Sequence, residues 1–167
     1  MTVTIRAFTT GWMTTDRAGL HFDHCGGNAL AGDVPVLVQR EEWHAAHGGD
    51  PNAGYLEVDY DTGQEVQLLD GEHDVFGDGL VTCLPTPGHT AGHQSLRVRS
   101  GDREVVLTGD ACYFRETLET GRLPVFANDP EVQRRTLERL RALGSAGAHL
   151  VFGHDAEQFP DDEVRTI

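Results

Sequence analysis

Residues 86–98 read TPGHTAGHQSLRV and residues 107–113 read LTGDACY. In both, a strand-like run meets a glycine turn, and a residue able to hold a proton or a metal sits at the junction: His89 in one, Asp110 in the other. Between them HQSLRVRS and REVVL are short, β-branched runs broken at Gly101, the pattern of adjacent strands. Polar groups at strand ends, on a frame of buried strands, are how many folds build sites.

Working outward, EVQLLDGE, GLVTCLPT and AHLVFGHD are further strand-like runs, each stopped by Gly, Asp or a similar breaker. DVPVLVQ reads as a buried strand and REEWHAAH after it takes helix-favouring composition. One clear helix is EVQRRTLERLRAL, with Asp129 as N-cap and Pro130 in the first turn, where its missing N–H costs little. Val132, Leu140 and Leu143 fall near one face, and Glu131 and Arg135 are spaced to pair across a turn. The stretch HGGDPNAGYLEVDYDTGQE reads as a long surface loop, and residues 1–18 hold one weak strand (Val3, Ile5, Ala7) before a polar segment. Strands interspersed with helices predict a layered α/β or α+β architecture.

The chain has 167 residues and a formal net charge of −14. That length suits one domain, spanning 1–167, able to bury roughly 68–70% of its unfolded surface. The charge argues against a surface that gathers nucleic-acid phosphates and favours a small neutral or weakly charged substrate. Cys25, Cys83 and Cys112 form no CxxC spacing, so neither a disulfide framework nor a thiolate zinc knuckle is read. No stretch approaches the roughly 20 apolar residues needed to span a bilayer, and no leader is seen, so a cytoplasmic protein without membrane association is expected.

Four strand-end clusters carry the chemistry: LHFDHCGG at 20–27, TPGHT at 86–90, TGDACY at 108–113 and FGHD at 152–155. Imidazole and carboxylate together suit zinc, and also iron, cobalt or manganese. His44 and His47 read as surface residues. His93 reads as bonding loop backbone, and Asp155 as either orienting a histidine or solvated. Ser95 lies outside any GxSxG nucleophile context.

In this order the clusters resemble the metallo-β-lactamase superfamily. Within it, PVLVQREEWHAA, TPGHTAGHQSLRV, LTGDACY and FGHDAEQF are similar to the N-acyl-homoserine lactonases, and Tyr113 is the most discriminating position. The resemblance implies an αββα sandwich and two metal ions. His21 and His89 would bind one, Asp23, His24 and His154 the other, and Asp110 would bridge them. It also implies attack of a metal-bridging hydroxide on the carbonyl of a small-molecule lactone, the quorum-quenching reaction. Tyr113 would donate to the developing oxyanion and Asp23 would help deliver a proton to the departing ring oxygen.

Two departures qualify this reading. Gly19 stands where the family motif begins with a histidine, leaving His21, His89 and Asp110 for the first metal. Residues 1–18 are an atypical segment, shorter than the N-terminal half that family members carry. A sandwich incomplete at that end would expose apolar sheet surface and predict a partner or a homo-oligomer. Other readings are an ester or thioester hydrolase of the same superfamily, or a truncated, catalytically inactive metal-binding relative.

Overall fold

The computed structural model describes residues 4–6, 34–48, 55, 57–125, 127–158 and 164–166. In chain order the elements are β1 (Thr4–Arg6), β2 (Val36–Gln39), α1 (Arg40–Ala46), α2 (Glu57–Tyr60), β3 (Val66–Leu69), β4 (His73–Asp74) and β5 (Val81–Pro85). There follow β6 (Gln94–Ser100), β7 (Arg103–Leu107), a 3₁₀ turn at Gly109–Ala111, α3 (Arg115–Thr120), α4 (Pro130–Ser145), β8 (His149–Val151) and β9 (Val164–Thr166). The mixed α/β architecture expected from the sequence is present. The principal sheet has order β4-β5-β6-β7-β8; β2 pairs in parallel with β3, and β1 in antiparallel with β9.

The registers decide where polar strand ends collect. Pro85 faces Gln94, so β5 and β6 are joined by residues 86–93 at one end of the sheet. Leu96 faces Leu107, which returns the end of β7 to that side, and Leu107 in turn faces Val151 of the parallel strand β8. The segments after β5, β7 and β8 therefore share one end of the sheet, although they lie far apart in the chain.

One sheet face is closed by α4. Leu84, Val106 and Leu150 from the strands meet Leu137 and Leu140 from the helix, with Ala111, Cys112 and Phe152 completing the cluster. The helix starts as its sequence predicts: the Asp129 carboxylate accepts the N–H groups of Glu131 and Val132, each at 3.0 Å. Its surface pair differs from expectation. Glu131 bonds Arg134, one turn position earlier than Arg135, because the i,i+3 neighbour is equally close on a helix. Leu140 is fully buried, so Leu140→Ala is expected to cost about 2–5 kcal/mol of stability, read by urea denaturation.

Strand alternation puts Cys83, Leu96, Val98, Val105, Leu107 and Val151 on the other face. Cys83, Val98 and Val105 are buried there, and the exposed large hydrophobics among the described residues, Val34, Phe76, Phe114 and Val125, lie outside the strands. The end of β2 joins the principal sheet through paired amides. Gln39 donates to Gln94 and to the Gly71 carbonyl, while Gln94 donates to the Leu37 carbonyl. No helix among the described residues is long and apolar enough to cross a membrane.

Candidate metal centre

The turn that carries His89 is gripped from both sides. On the α4 side, Thr136 Oγ1 donates to the Pro87 carbonyl (2.7 Å) and Arg139 Nη1 to that of Pro85 (2.9 Å). The N–H groups of Asn128 and Asp129 donate to the carbonyls of His89 and Gly88. Gly88 has φ +128° and packs directly on the helix; a β-carbon there would lie 2.4 Å from the backbone of Gln133. On the α1 side, Glu42 accepts the Gly92 N–H (2.7 Å) and the Tyr55 hydroxyl (3.0 Å). With its loop pinned this way, His89 is only 2% exposed.

Asp110 stands in the 3₁₀ turn that ends β7. Thr108 closes this corner: its N–H donates to the Val151 carbonyl, and its hydroxyl lies 3.0 Å from the carbonyls of both Cys112 and Val151. From beneath, Gln133 Nε2 donates to the carbonyls of Asp110 and Ala111. His154 follows β8, where Gly153 N–H donates to Cys112 and His154 N–H to Tyr113. Gly153 is required by close approach, since a β-carbon would meet the Gly109 carbonyl oxygen at 2.6 Å.

These corners bring His89, Asp110, His154 and Tyr113 together. Asp110, itself 2% exposed, presents Oδ1 to His154 Nε2 at 2.8 Å and Oδ2 to His89 Nε2 at 3.3 Å. The Tyr113 ring lies 4.5 Å from the His154 ring and 5.7 Å from that of His89. One carboxylate thus offers each of its oxygens beside a different imidazole nitrogen. Among the described residues no group of three or more His, Cys, Asp or Glu side chains converges on a single ion. His89 and His154, each beside one oxygen of Asp110, are the residues that could serve as two half-sites joined by a carboxylate, each with one nitrogen and one oxygen.

Further sequence expectations divide. His21, Asp23 and His24 lie outside the described residues, as do Gly19 and Cys25. His44 and His47 are exposed, as read. His93 bonds backbone as read, accepting the Asp110 N–H. Asp155 is turned to structure: it accepts the N–H groups of Arg115 and Glu157. Ser95 is buried and donates to the Thr108 carbonyl, which is a bracing role and not that of a nucleophile. Burial pushes the Cys112 thiol up to about 12, so it holds its proton near neutrality and is also no nucleophile. Gln133 and Thr86 were not singled out from sequence. The available signal for Gln133 was an amide in register with Leu137 and Leu140 on the core face of α4.

Comparison with known proteins bears on this arrangement. The profile of the metallo-beta-lactamase superfamily matches residues 19–154. An N-acyl homoserine lactonase of a Bacillus species is 37% identical over 143 residues, covering 83% of this chain and 54% of the relative. The N-acyl homoserine lactonase AttM of Rhizobium johnstonii is 37% identical over 145 residues, covering 81% and 55%. A solved N-acyl homoserine lactone hydrolase, with the product N-hexanoyl-L-homoserine bound at its catalytic metal center, superposes with a TM-score of 0.72 at 34% identity, covering 85% of this chain and 58% of that one. The chain spans about half the length of the curated relatives it matches.

Proposed function

Because the chain belongs to the metallo-β-lactamase superfamily, and resembles N-acyl homoserine lactonases within it, we propose that it is a metal-dependent hydrolase that opens the lactone ring of N-acyl-homoserine lactones. The observation that carries this reading is the Asp110 carboxylate, with one oxygen against His154 and the other against His89. His89 with His21, and His154 with Asp23 and His24, would hold two divalent ions about Asp110. Zinc fits this set, and iron, cobalt or manganese suit the same donors. When bound, such ions supply an ionised water and a Lewis acid for the lactone carbonyl.

What the chain's own groups contribute can be stated separately. Tyr113 lies beside both imidazoles, so its phenol is the donor for a carbonyl oxygen that gains charge when the lactone carbonyl is attacked. Asp23 is the group assigned to carry a proton toward the departing ring oxygen. The TPGH turn, clamped by α1 and α4, holds its imidazole without the reorganisation that would slow the reaction. In this reading residues 1–167 act as one domain with an atypical segment at 1–18.

The test combines elemental analysis of the chelator-free purified protein with lactone turnover. Two metals per chain and metal-dependent ring opening are expected. Tyr113→Phe should lower kcat/KM for the lactone by about 10²-fold, the scale for loss of one oxyanion donor, with metal content unchanged. One metal or none, with no turnover, would mark an inactive metal-binding relative. Preference for a thioester or a β-lactam over the lactone would assign a different hydrolase of the superfamily.

A further inference from the structure

The proton positions around His93 can be derived from two ends of one hydrogen-bond chain. At one end, the backbone N–H of Asp110 can only donate, and it points at His93 Nε2 at 3.1 Å, so that nitrogen must carry the lone pair. At the other end, the Thr108 carbonyl can only accept, and it takes the single hydroxyl proton of Ser95 at 3.0 Å. Ser95 Oγ must then accept from Thr86 Oγ1 at 2.8 Å, which leaves Thr86 Oγ1 to accept from His93 Nδ1 at 2.9 Å. Both ends require the same neutral imidazole, protonated on Nδ1.

The chain also explains a glycine. Gly109 has φ +53°, and a β-carbon there would lie 3.1 Å from His93 Nε2 and 3.3 Å from its Cε1. The absence of a side chain lets the imidazole reach the Asp110 peptide directly. Thr86, Ser95 and Thr108 are buried, so their hydroxyl and carbonyl groups are held in this order by each other.

We propose that His93 is a positioning residue, fixed as its Nδ1–H tautomer by Thr86 and Ser95, that sets the orientation of the Asp110 peptide and through it the placement of the Asp110 carboxylate between His89 and His154. The consequence for metal affinity rests on the two-ion reading above; the tautomer does not. Partners of this kind, one bond removed from a ligand, change metal affinity by about 10–100-fold when lost.

The first experiment is the long-range ¹H–¹⁵N spectrum of the metal-free full chain at neutral pH, with the His93 ring assigned by its disappearance in His93→Gln. The Nδ1–H tautomer is expected. An Nε2–H tautomer or a doubly protonated ring overturns the proposal.

The second is a cobalt(II) titration followed by the visible absorption bands. His93→Ala is expected to bind cobalt at least about 10-fold more weakly. His93→Gln, whose amide oxygen reaches the former Nε2 position and can accept from Asp110, should recover most of that loss. Wild-type affinity in the alanine variant, or an equal loss in both variants, overturns the positioning role. Thr86→Val removes the partner of Nδ1 with little change of shape and should leave the tautomer in place, held by the Asp110 N–H on Nε2; a switch to Nε2–H would overturn the assignment of that donor. If the wild-type protein takes up no cobalt, the two-ion reading has failed, and the tautomer measurement still decides the assignment of His93.

Discussion

If the proposed two-metal lactonase reading holds, Asp110→Asn is expected to abolish retention of both metals and to lower lactone turnover by at least about 10³-fold, equivalent to about 4 kcal/mol of transition-state stabilisation. The magnitude follows from the shared carboxylate. Each Asp110 oxygen faces a different imidazole, so one substitution removes a donor from both half-sites. An amide keeps the shape and one carbonyl oxygen, but it loses the charge, and its NH₂ group can only donate. Thermal melts with and without zinc separate a lost site from a damaged fold. A ligand present at 1,000 times its Kd stabilises the native chain by about 4.1 kcal/mol, and that increment should vanish in the variant. The metal-free variant should melt no lower than the metal-free wild type, because a carboxylate 2% exposed is costly to bury when charged. An Asp110→Asn protein that still carries two metals would refute the bridging role.

Gly88→Ala is expected to have the largest effect on stability, more than about 4 kcal/mol, at the extreme of what single substitutions do. Two costs coincide at this position. The φ of +128° is poorly accessible to a residue with a side chain, and the added carbon would sit 2.4 Å from Gln133 N and Cα. The obstruction is helix backbone, so relief requires α4 to move away from the turn. That movement would break the bonds from Thr136, Asn128 and Asp129 to Pro87, His89 and Gly88. Gly101→Ala provides the contrast. Its φ is +58°, but no atom lies within 4 Å, so its cost should be only about 1–2 kcal/mol. Urea denaturation of the two variants thus separates backbone strain from collision; similar midpoints would contradict the packing argument.

The sequence made legible those elements whose signals are local. The valine-rich runs bounded by breakers became β5 to β8, and Asp129-Pro130 marked the start of α4. β4 was not legible because His73 and Asp74 have no strand preference; their pairing with Cys83 and Thr82 is a tertiary event. α3 is short and its N-cap residue, Phe114, offers no capping side chain, so only Gly121, at φ +69° after its last turn, could have announced it. α2 lies within a stretch whose Gly, Asp and Asn content reads as loop. At the site, His89, Asp110 and His154 stand in strand-end clusters that the sequence displays, whereas Tyr113 is picked out only by the resemblance; the structure brings the four together. Thr86 and Gln133 escaped because a buried hydroxyl or amide declares its partner only in three dimensions.

Asp110 and His154 meet across adjacent parallel strands while standing 44 residues apart in the chain. The intervening segment includes α3 and α4, and it must be ordered before the two groups can face one another. Closure of that long crossover, and not the local chain, therefore governs how quickly the contact forms during folding. An ion that needs both groups at once selects chains in which the crossover has already closed. Metal should accordingly slow unfolding while leaving the refolding rate nearly independent of metal concentration.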